Sequence, residues 1–212
     1  MSNKRDTPLA GLLNETACPA DANGQRVFQC GRPSHVELTE VPFPAIVNLR
    51  GNSAEPAFVV RAGKALGSPL PVAPNTVAEN EHIVCYWLSP DEWLIRTQKP
   101  TPENETYPPG VQVALEKTLA SEHVFATTDQ SSAYSVLQLH GPHAIDVLAK
   151  GTPLDLHPSV LPKGKCAQTH WFRASVLLRP LGNNGDAWEI IVRRSFADST
   201  ARMLMDAMQE YL

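Results

Sequence analysis

A short pattern occurs twice in this chain, and it limits the possible folds more than any other feature. Leu49-Arg50-Gly51-Asn52-Ser53-Ala54 and Leu139-His140-Gly141-Pro142-His143-Ala144 share the form Leu-x-Gly-x-x-Ala. Each copy follows a strand-like run, Ala45 to Arg50 or Tyr134 to Leu139, and opens a helical pattern. A second echo lies downstream of each: Asp91-Glu92-Trp93-Leu94-Ile95-Arg96 resembles Asp186-Ala187-Trp188-Glu189-Ile190-Ile191-Val192-Arg193. A strand, a glycine-opened helix and an Asp-x-Trp strand thus recur in the same order. Such recurrence indicates two related halves.

The first half reads β-α-β-β-α-β, a split-βαβ arrangement. A strand over Ala45 to Arg50 leads to a helix with Ser53 as N-cap, Pro56 in the first turn and Gly67 as C-cap. Strands His82 to Leu88 and Trp93 to Thr97 flank the turn Ser89-Pro90-Asp91-Glu92. A proline-rich surface loop, Gln98 to Gly110, precedes a helix over Val111 to Ala120 and a strand over His123 to Thr127. The second half runs from the strand at Tyr134 through a helix at Pro142 to Lys150, strands from Cys166 to Arg179, a turn at Gly182 to Asp186 and a strand at Trp188 to Arg193. It ends in an amphipathic helix capped by Ser195, with Phe196, Thr200, Met203, Leu204, Ala207, Met208 and Tyr211 on one stripe. The expected fold class is α+β: two related split-βαβ-like subdomains, residues 39–130 and 131–212, with small, mostly antiparallel sheets covered by helices. Residues 1–38 are polar and without periodicity, and read as an extended N-terminal arm that orders against a partner.

A net charge of −4 with no basic cluster longer than Arg193-Arg194 argues against a nucleic-acid partner. No apolar run approaches the roughly 20 residues of a membrane helix. The first ten residues have no apolar core of a signal peptide. Four widely spaced cysteines, Cys18, Cys30, Cys85 and Cys166, form no Cys-x-x-Cys, so a reducing cytoplasm is the simplest expected compartment.

No Gly-x-Gly-x-x-Gly and no Gly-x-x-x-x-Gly-Lys-Ser/Thr is present, and Gly182-x-x-Gly185 reads as a hairpin turn. No residue of this chain is therefore assigned to a cofactor. His140, His143, Cys166 and His170 have spacings that permit a metal site, yet seven histidines make such near-pairs common by chance, and no metal is assigned. Cys85 lies in an apolar strand and reads as a small buried hydrophobe. Of the carboxylates Asp91, Asp129, Asp146, Asp155 and Asp186, Asp91 and Asp186 fall in turns and Asp146 on a helix; all five are expected to be structural, so no catalytic residue is assigned either. The adjacent aromatics Tyr86-Trp87 and Trp171-Phe172, placed in strands, must face opposite ways. Either both sheet faces are covered within this chain, or one aromatic of each pair is left for a partner subunit.

Longer motifs carry a resemblance. They are Leu139-x-Gly-Pro-x-Ala-x-x-Val-Leu-Ala-Lys-Gly-x-Pro-Leu-Asp-Leu-His-Pro158, Cys166-Ala167-Gln168-Thr169, and Trp188-Glu189-x-x-Val192-Arg193-Arg194-Ser195-Phe196-Ala197-Asp198. In the first half they are Val47-Asn48-Leu49-Arg50-Gly51, Pro74-Asn75-Thr76 and Trp87-Leu88-x-Pro90-Asp91-Glu92-Trp93-Leu94. Together they resemble the gamma-subunit family of heterotetrameric sarcosine oxidases and, more distantly, the folate-binding aminomethyltransferase fold. The resemblance implies a non-catalytic chain that supports assembly with alpha, beta and delta subunits. The complex it implies oxidises sarcosine to glycine with release of hydrogen peroxide and of formaldehyde or 5,10-methylenetetrahydrofolate. It also implies that FAD, FMN and NAD are held by other subunits and that tetrahydrofolate is used by the complex. The alternative reading is a stand-alone folate-binding one-carbon transfer protein.

Overall fold

The computed structural model describes residues 6–12, 26–30, 35–100, 109–122 and 124–211, with the backbone alone for 26–30. In chain order the elements are β1 (Arg26–Cys30), β2 (Glu37–Val41), β3 (Pro44–Gly51), α1 (Pro56–Leu66), β4 (Val77–Glu79), β5 (Ile83–Ser89), β6 (Glu92–Pro100), α2 (Gly110–Leu119), β7 (Phe125–Asp129), β8 (Tyr134–His140), α3 (Ala144–Ala149), β9 (Ala167–Trp171), β10 (Ala174–Pro180), β11 (Ala187–Arg193) and α4 (Arg194–Met208). A 3-10 turn, Gln209–Tyr211, follows. The α+β class expected from the sequence is what the chain adopts. It divides into two compact units, residues 43–132 and residues up to 42 together with 133 onward.

In the central unit the strands lie in the order β4-β5-β6-β3-β7, every neighbouring pair antiparallel. Alternate residues of β3, β5 and β6 (Val47, Leu49, Ile83, Cys85, Trp93, Ile95) bury one sheet face against Phe58, Ala62 and Leu66 of α1 and Leu115 and Leu119 of α2. The four-residue spacing on each helix is what one stripe of a 3.6-residue repeat produces. Pro56 starts α1, where its missing N–H costs nothing. Gly67 ends it at φ 64, and the N–H groups of Gly67 and Ser68 donate to the carbonyls of Lys64 and Gly63 at 3.4 and 3.1 Å.

The other unit repeats this plan. Its strands run β1-β2-β8-β11-β10-β9, again antiparallel throughout. Read from the opposite edge, β9-β10-β11-β8-β2 matches β4-β5-β6-β3-β7 position by position. The fifth position differs in origin: β7 follows its helix, whereas β2 comes from the N-terminal segment. The equivalence extends to single residues. Leu49 pairs with Trp93 and Leu139 with Trp188 across neighbouring strands. The N–H of Gly51 donates to the carbonyl of Asp91 at 3.1 Å, and that of Gly141 to the carbonyl of Asp186 at 2.8 Å. Both tryptophans are fully buried, and each indole N–H donates to a loop carbonyl: Trp93 to Pro71 at 2.7 Å, Trp188 to Gly185 at 2.9 Å.

The structure corrects several expectations. The described part of residues 1–38 is no extended arm: Leu9 and Leu12 are buried in the core beneath β8, β10 and β11, and β1 and β2 lengthen that sheet. The 39–130 and 131–212 division therefore becomes one continuous unit and one assembled from both ends of the chain. Strand β2 pairs with β1 on one side and on the other with β8, far along the sequence. Ser53 and Ser195 are not caps. Glu55 and Arg193 hold those positions without side-chain bonds; at α4, β11 runs straight into the helix and the N–H of Arg194 donates to the carbonyl of Ala133 at 2.8 Å. Strand β4, three residues long, was too short to read. The expected proline-rich loop lies largely outside the described residues, as does His123.

The crowding at the repeated glycine gives a direct test. A Cβ on Gly141, whose φ is +124, would stand 2.0 Å from the carbonyl oxygen of His35. Gly141→Ala should therefore destabilise the chain by about 3 kcal/mol in thermal unfolding, from overpacking plus left-handed strain. Gly164→Ala, at φ +86 with open space around it, should cost about 1 kcal/mol. The two indole anchors should also behave alike: Trp93→Phe and Trp188→Phe should each cost about 2 kcal/mol by denaturant titration, since each leaves a buried carbonyl unpaired.

Candidate functional site

The densest set of chemically capable side chains surrounds the Gly141 turn. His143, just ahead of α3, stacks on Tyr211 with ring centroids 4.5 Å apart and on His35 at 6.4 Å, both at 13°. The His143 Nδ1 lies 2.9 Å from Oδ2 of Asp146. At the end of α3, Lys150 places its Nζ 4.7 Å above the Tyr211 ring, donates to the carbonyl of Ala207 and pairs with Glu210. The hydrogen bond from Lys150 holds the Glu210 carboxyl below its usual range. Desolvation, with Glu210 and Asp146 beside it, pushes the Tyr211 hydroxyl up. Histidine, carboxylate, phenol and ammonium make an acid–base set by type. Here each group is committed to a neighbour, and the cluster fastens residue 35, α3 and the C-terminal turn together within one unit. Exposed pairs of this kind contribute little individually.

The metal candidates do not converge. His140 is on β8, while His170 is on β9 and Cys166 directly precedes it, and β11 and β10 lie between. Three strand spacings amount to roughly 14 Å, far beyond a shared coordination sphere. Burial lowers the His140 pKa, whereas Cys166 is fully buried and its thiol is pushed up to about 12, again by burial. Among the described residues no group of three or more His, Cys, Asp or Glu side chains is placed to hold a metal ion.

Four of the five carboxylates are bonded to near neighbours. Asp91 accepts from Ser89 and pairs with Arg50, and the Ser89 bond holds its carboxyl low. Asp129 accepts from the N–H and hydroxyl of Ser131, Asp155 from the N–H of His157, and Asp146 from His143. Asp186 supplies the carbonyl that receives Gly141. Cys85 is buried in the core of the central unit, and neither it nor Cys166 is in a disulfide. Gly182 to Gly185 is a turn folded onto its own chain. A Cβ on Gly182 would meet the Asp186 Oδ1 at 2.2 Å, and one on Gly185 would meet Ile145 at 3.1 Å. These glycines make room for neighbouring side chains of the same unit.

Sequence reasoning missed two buried cations. Arg96 donates from Nε to the hydroxyl of Tyr86 at 3.0 Å and from Nη1 to the carbonyl of Thr97 at 2.9 Å. Arg179 lies 3.3 Å from Glu189 on the adjacent strand, both almost fully buried. Isolated charges in apolar strands are the only sequence trace of such pairs. The aromatic pairs divide unevenly. Tyr86 and Trp171 are buried and Trp87 is half-buried. Phe172, expected in a strand, instead occupies the β9–β10 turn with φ 47 and is 45% exposed.

The sarcosine oxidase, gamma subunit family matches residues 50–210. Subunit gamma of sarcosine oxidase from Corynebacterium sp. strain P-1 is 32% identical over 195 residues, 91% of this chain and 90% of that one. Its counterpart from strain U-96 is 34% identical over 177 residues, covering 83% and 80%. Among solved structures, a chain of the heterotetrameric sarcosine oxidase from Corynebacterium sp. U-96 superposes with a TM-score of 0.78 at 30% identity, covering 98% of this chain and 96% of that one. The glycine cleavage system aminomethyltransferase T from Bartonella henselae gives 0.65 at 16% identity, over 95% of this chain and 57% of the other, and shares the fold alone.

Burial makes Cys166 a sharp probe of this picture. Iodoacetamide at pH 8 should leave it unmodified in the folded chain and label it on unfolding, as read by peptide mass spectrometry. Because its thiol titrates higher folded than unfolded, its contribution to stability is complete below about pH 9 and declines above it. Unfolding midpoints followed from pH 8 to 10.5 should therefore fall, and Cys166→Ala should flatten that fall.

Proposed function

The chain belongs to the sarcosine oxidase gamma-subunit family, and we propose that it serves as the non-catalytic gamma subunit of a heterotetrameric sarcosine oxidase. Its partners in this reading are alpha, beta and delta subunits. The assembled enzyme converts sarcosine, oxygen and water to glycine, formaldehyde and hydrogen peroxide, or passes the one-carbon unit to tetrahydrofolate. FAD, FMN and NAD are assigned to the other chains. The compartment proposed is the cytoplasm, and no helix among the described residues is long and apolar enough to cross a membrane.

One observation carries the reading: likeness to gamma subunits extends over nine-tenths of the chain in sequence, and likeness to a chain of a heterotetrameric sarcosine oxidase over nearly all of it in structure. The engaged carboxylates, the crowded glycine turn and the sealed Cys166 agree with a chain that lends surface and rigidity to an assembly. The likeness to aminomethyltransferase T, at 16% identity, speaks for the fold alone and gives the folate-binding alternative no residue to rest on.

Co-expression tests the proposal. With alpha, beta and delta present, the chain should co-elute with the flavoproteins as one complex. Omitting it should lower both the yield of complex and the rate of peroxide formation from sarcosine. The isolated chain should bind no tetrahydrofolate in calorimetric titration up to about 100 μM. Turnover or tight folate binding by the isolated chain would favour the alternative.

A further inference from the structure

We infer that the β9–β10 turn is an assembly contact, with the Phe172 ring seating in an apolar pocket rimmed by carboxylates on another subunit of the oxidase. The inference rests on the gamma-subunit reading and adds to it a position and a chemistry.

Four observations converge on this turn. The first is strain. Phe172 has φ 47, a left-handed conformation that glycine or asparagine adopts readily and a bulky aromatic rarely does. The residue is 45% exposed, so the fold gains only part of the burial such a side chain can provide. An aromatic kept where it is conformationally unfavourable and half wet marks a candidate for function.

The second is rigidity. The N–H of Phe172 donates to the carbonyl of Gly151 at 2.7 Å. The indole of its neighbour Trp171 donates to the carbonyl of Leu148 at 3.0 Å, and the two rings meet edge to face at 4.7 Å and 88°. Gly151 makes room for both: a Cβ there would come within 2.5 Å of the Trp171 Nε1 and 2.8 Å of the Phe172 Cδ2. A ring already fixed loses little freedom on binding, which is what a strong anchor residue needs.

The third is an internal control. The equivalent turn of the central unit, between β4 and β5, also docks on the end of its helix. It does so through the Asn80 amide, which donates to the carbonyls of Leu66 and Gly67 at 3.0 and 3.1 Å. Residues 80–82 there are Asn-Glu-His. The architecture thus closes this turn without an exposed aromatic, and Phe172 answers a need that the fold does not impose.

The fourth is charge. β9 is the outermost strand of its sheet among the described residues; exposed Arg173 follows Phe172 at one end of the strand, and Lys163 and Lys165 precede its far end. Between residues 147 and 185 the only acidic side chain is Asp155, in a chain whose net charge is −4. Basic residues flanking an edge strand also discourage sheet-to-sheet aggregation. That role does not account for the aromatic ring beside Arg173, whereas an acidic-rimmed apolar pocket matches both.

The experiment titrates the full-length chain into the complex of the other three subunits and measures Kd beside the melting temperature of the free chain. Phe172→Gly relieves the strain, so the free chain should melt at an unchanged or higher temperature while its Kd rises at least tenfold. Phe172→Asn, which also tolerates positive φ, should do the same. Arg173→Glu should weaken binding and reduce its sensitivity to salt. A Phe172→Gly chain that binds within twofold of wild type overturns the inference. So does one that melts markedly lower, because the ring would then be part of the fold. Failure of the wild-type chain to bind would instead overturn the gamma-subunit reading itself, and the inference with it.

Discussion

The structure depends on one constraint used twice. A buried tryptophan on one strand is locked opposite a leucine on its neighbour, and two residues beyond that leucine a glycine N–H donates to the carbonyl of an aspartate in the facing turn. A slip by one residue would turn every inward side chain outward. The lock fixes register where strand becomes helix, so it also fixes where α1 and α3 begin. Everything later in each unit, including the return of β6 and β11 to the sheet, is placed from that corner.

The two glycines serve this corner for different reasons. At Gly51 a Cβ would collide with the ring of Phe58, so the glycine makes room for core packing. At Gly141 the obstacle is the backbone at His35, so the glycine lets the N-terminal segment lie across the turn. A duplicated motif has thus been fitted to two neighbours. The same divergence appears in the turns that dock on α1 and α3, one closed by an asparagine amide and the other by a tryptophan indole with a phenylalanine beside it.

Among the described residues, several polar groups hold the chain's own parts in place. The His143 stack joins three stretches of sequence, the carboxylates close turns, and the two buried arginines bridge adjacent strands. A fold of this architecture can carry a ligand site elsewhere, because function resides in particular residues and the fold only positions them.

The duplication, the α+β class and most strands and helices were legible in the sequence, because each depends on periodicity, glycine and proline within a few neighbouring residues. Gly67 and Pro56 were readable as helix ends for the same reason. The family resemblance was equally local, carried by ordered motifs in both halves. Tertiary structure alone decided the rest. β2 joins β8 through bonds spanning about half the chain, and Leu9 and Leu12 enter a core that local pattern does not reveal. Ser53 and Ser195 lost their capping roles to the path of the backbone around them. Phe172 moved from a strand to a strained turn because the Trp171–Ala174 pairing leaves only two residues to reverse the chain. Local chemistry sets what each segment prefers; which segments meet, and which side chains stay exposed, is set by contacts between residues far apart in sequence.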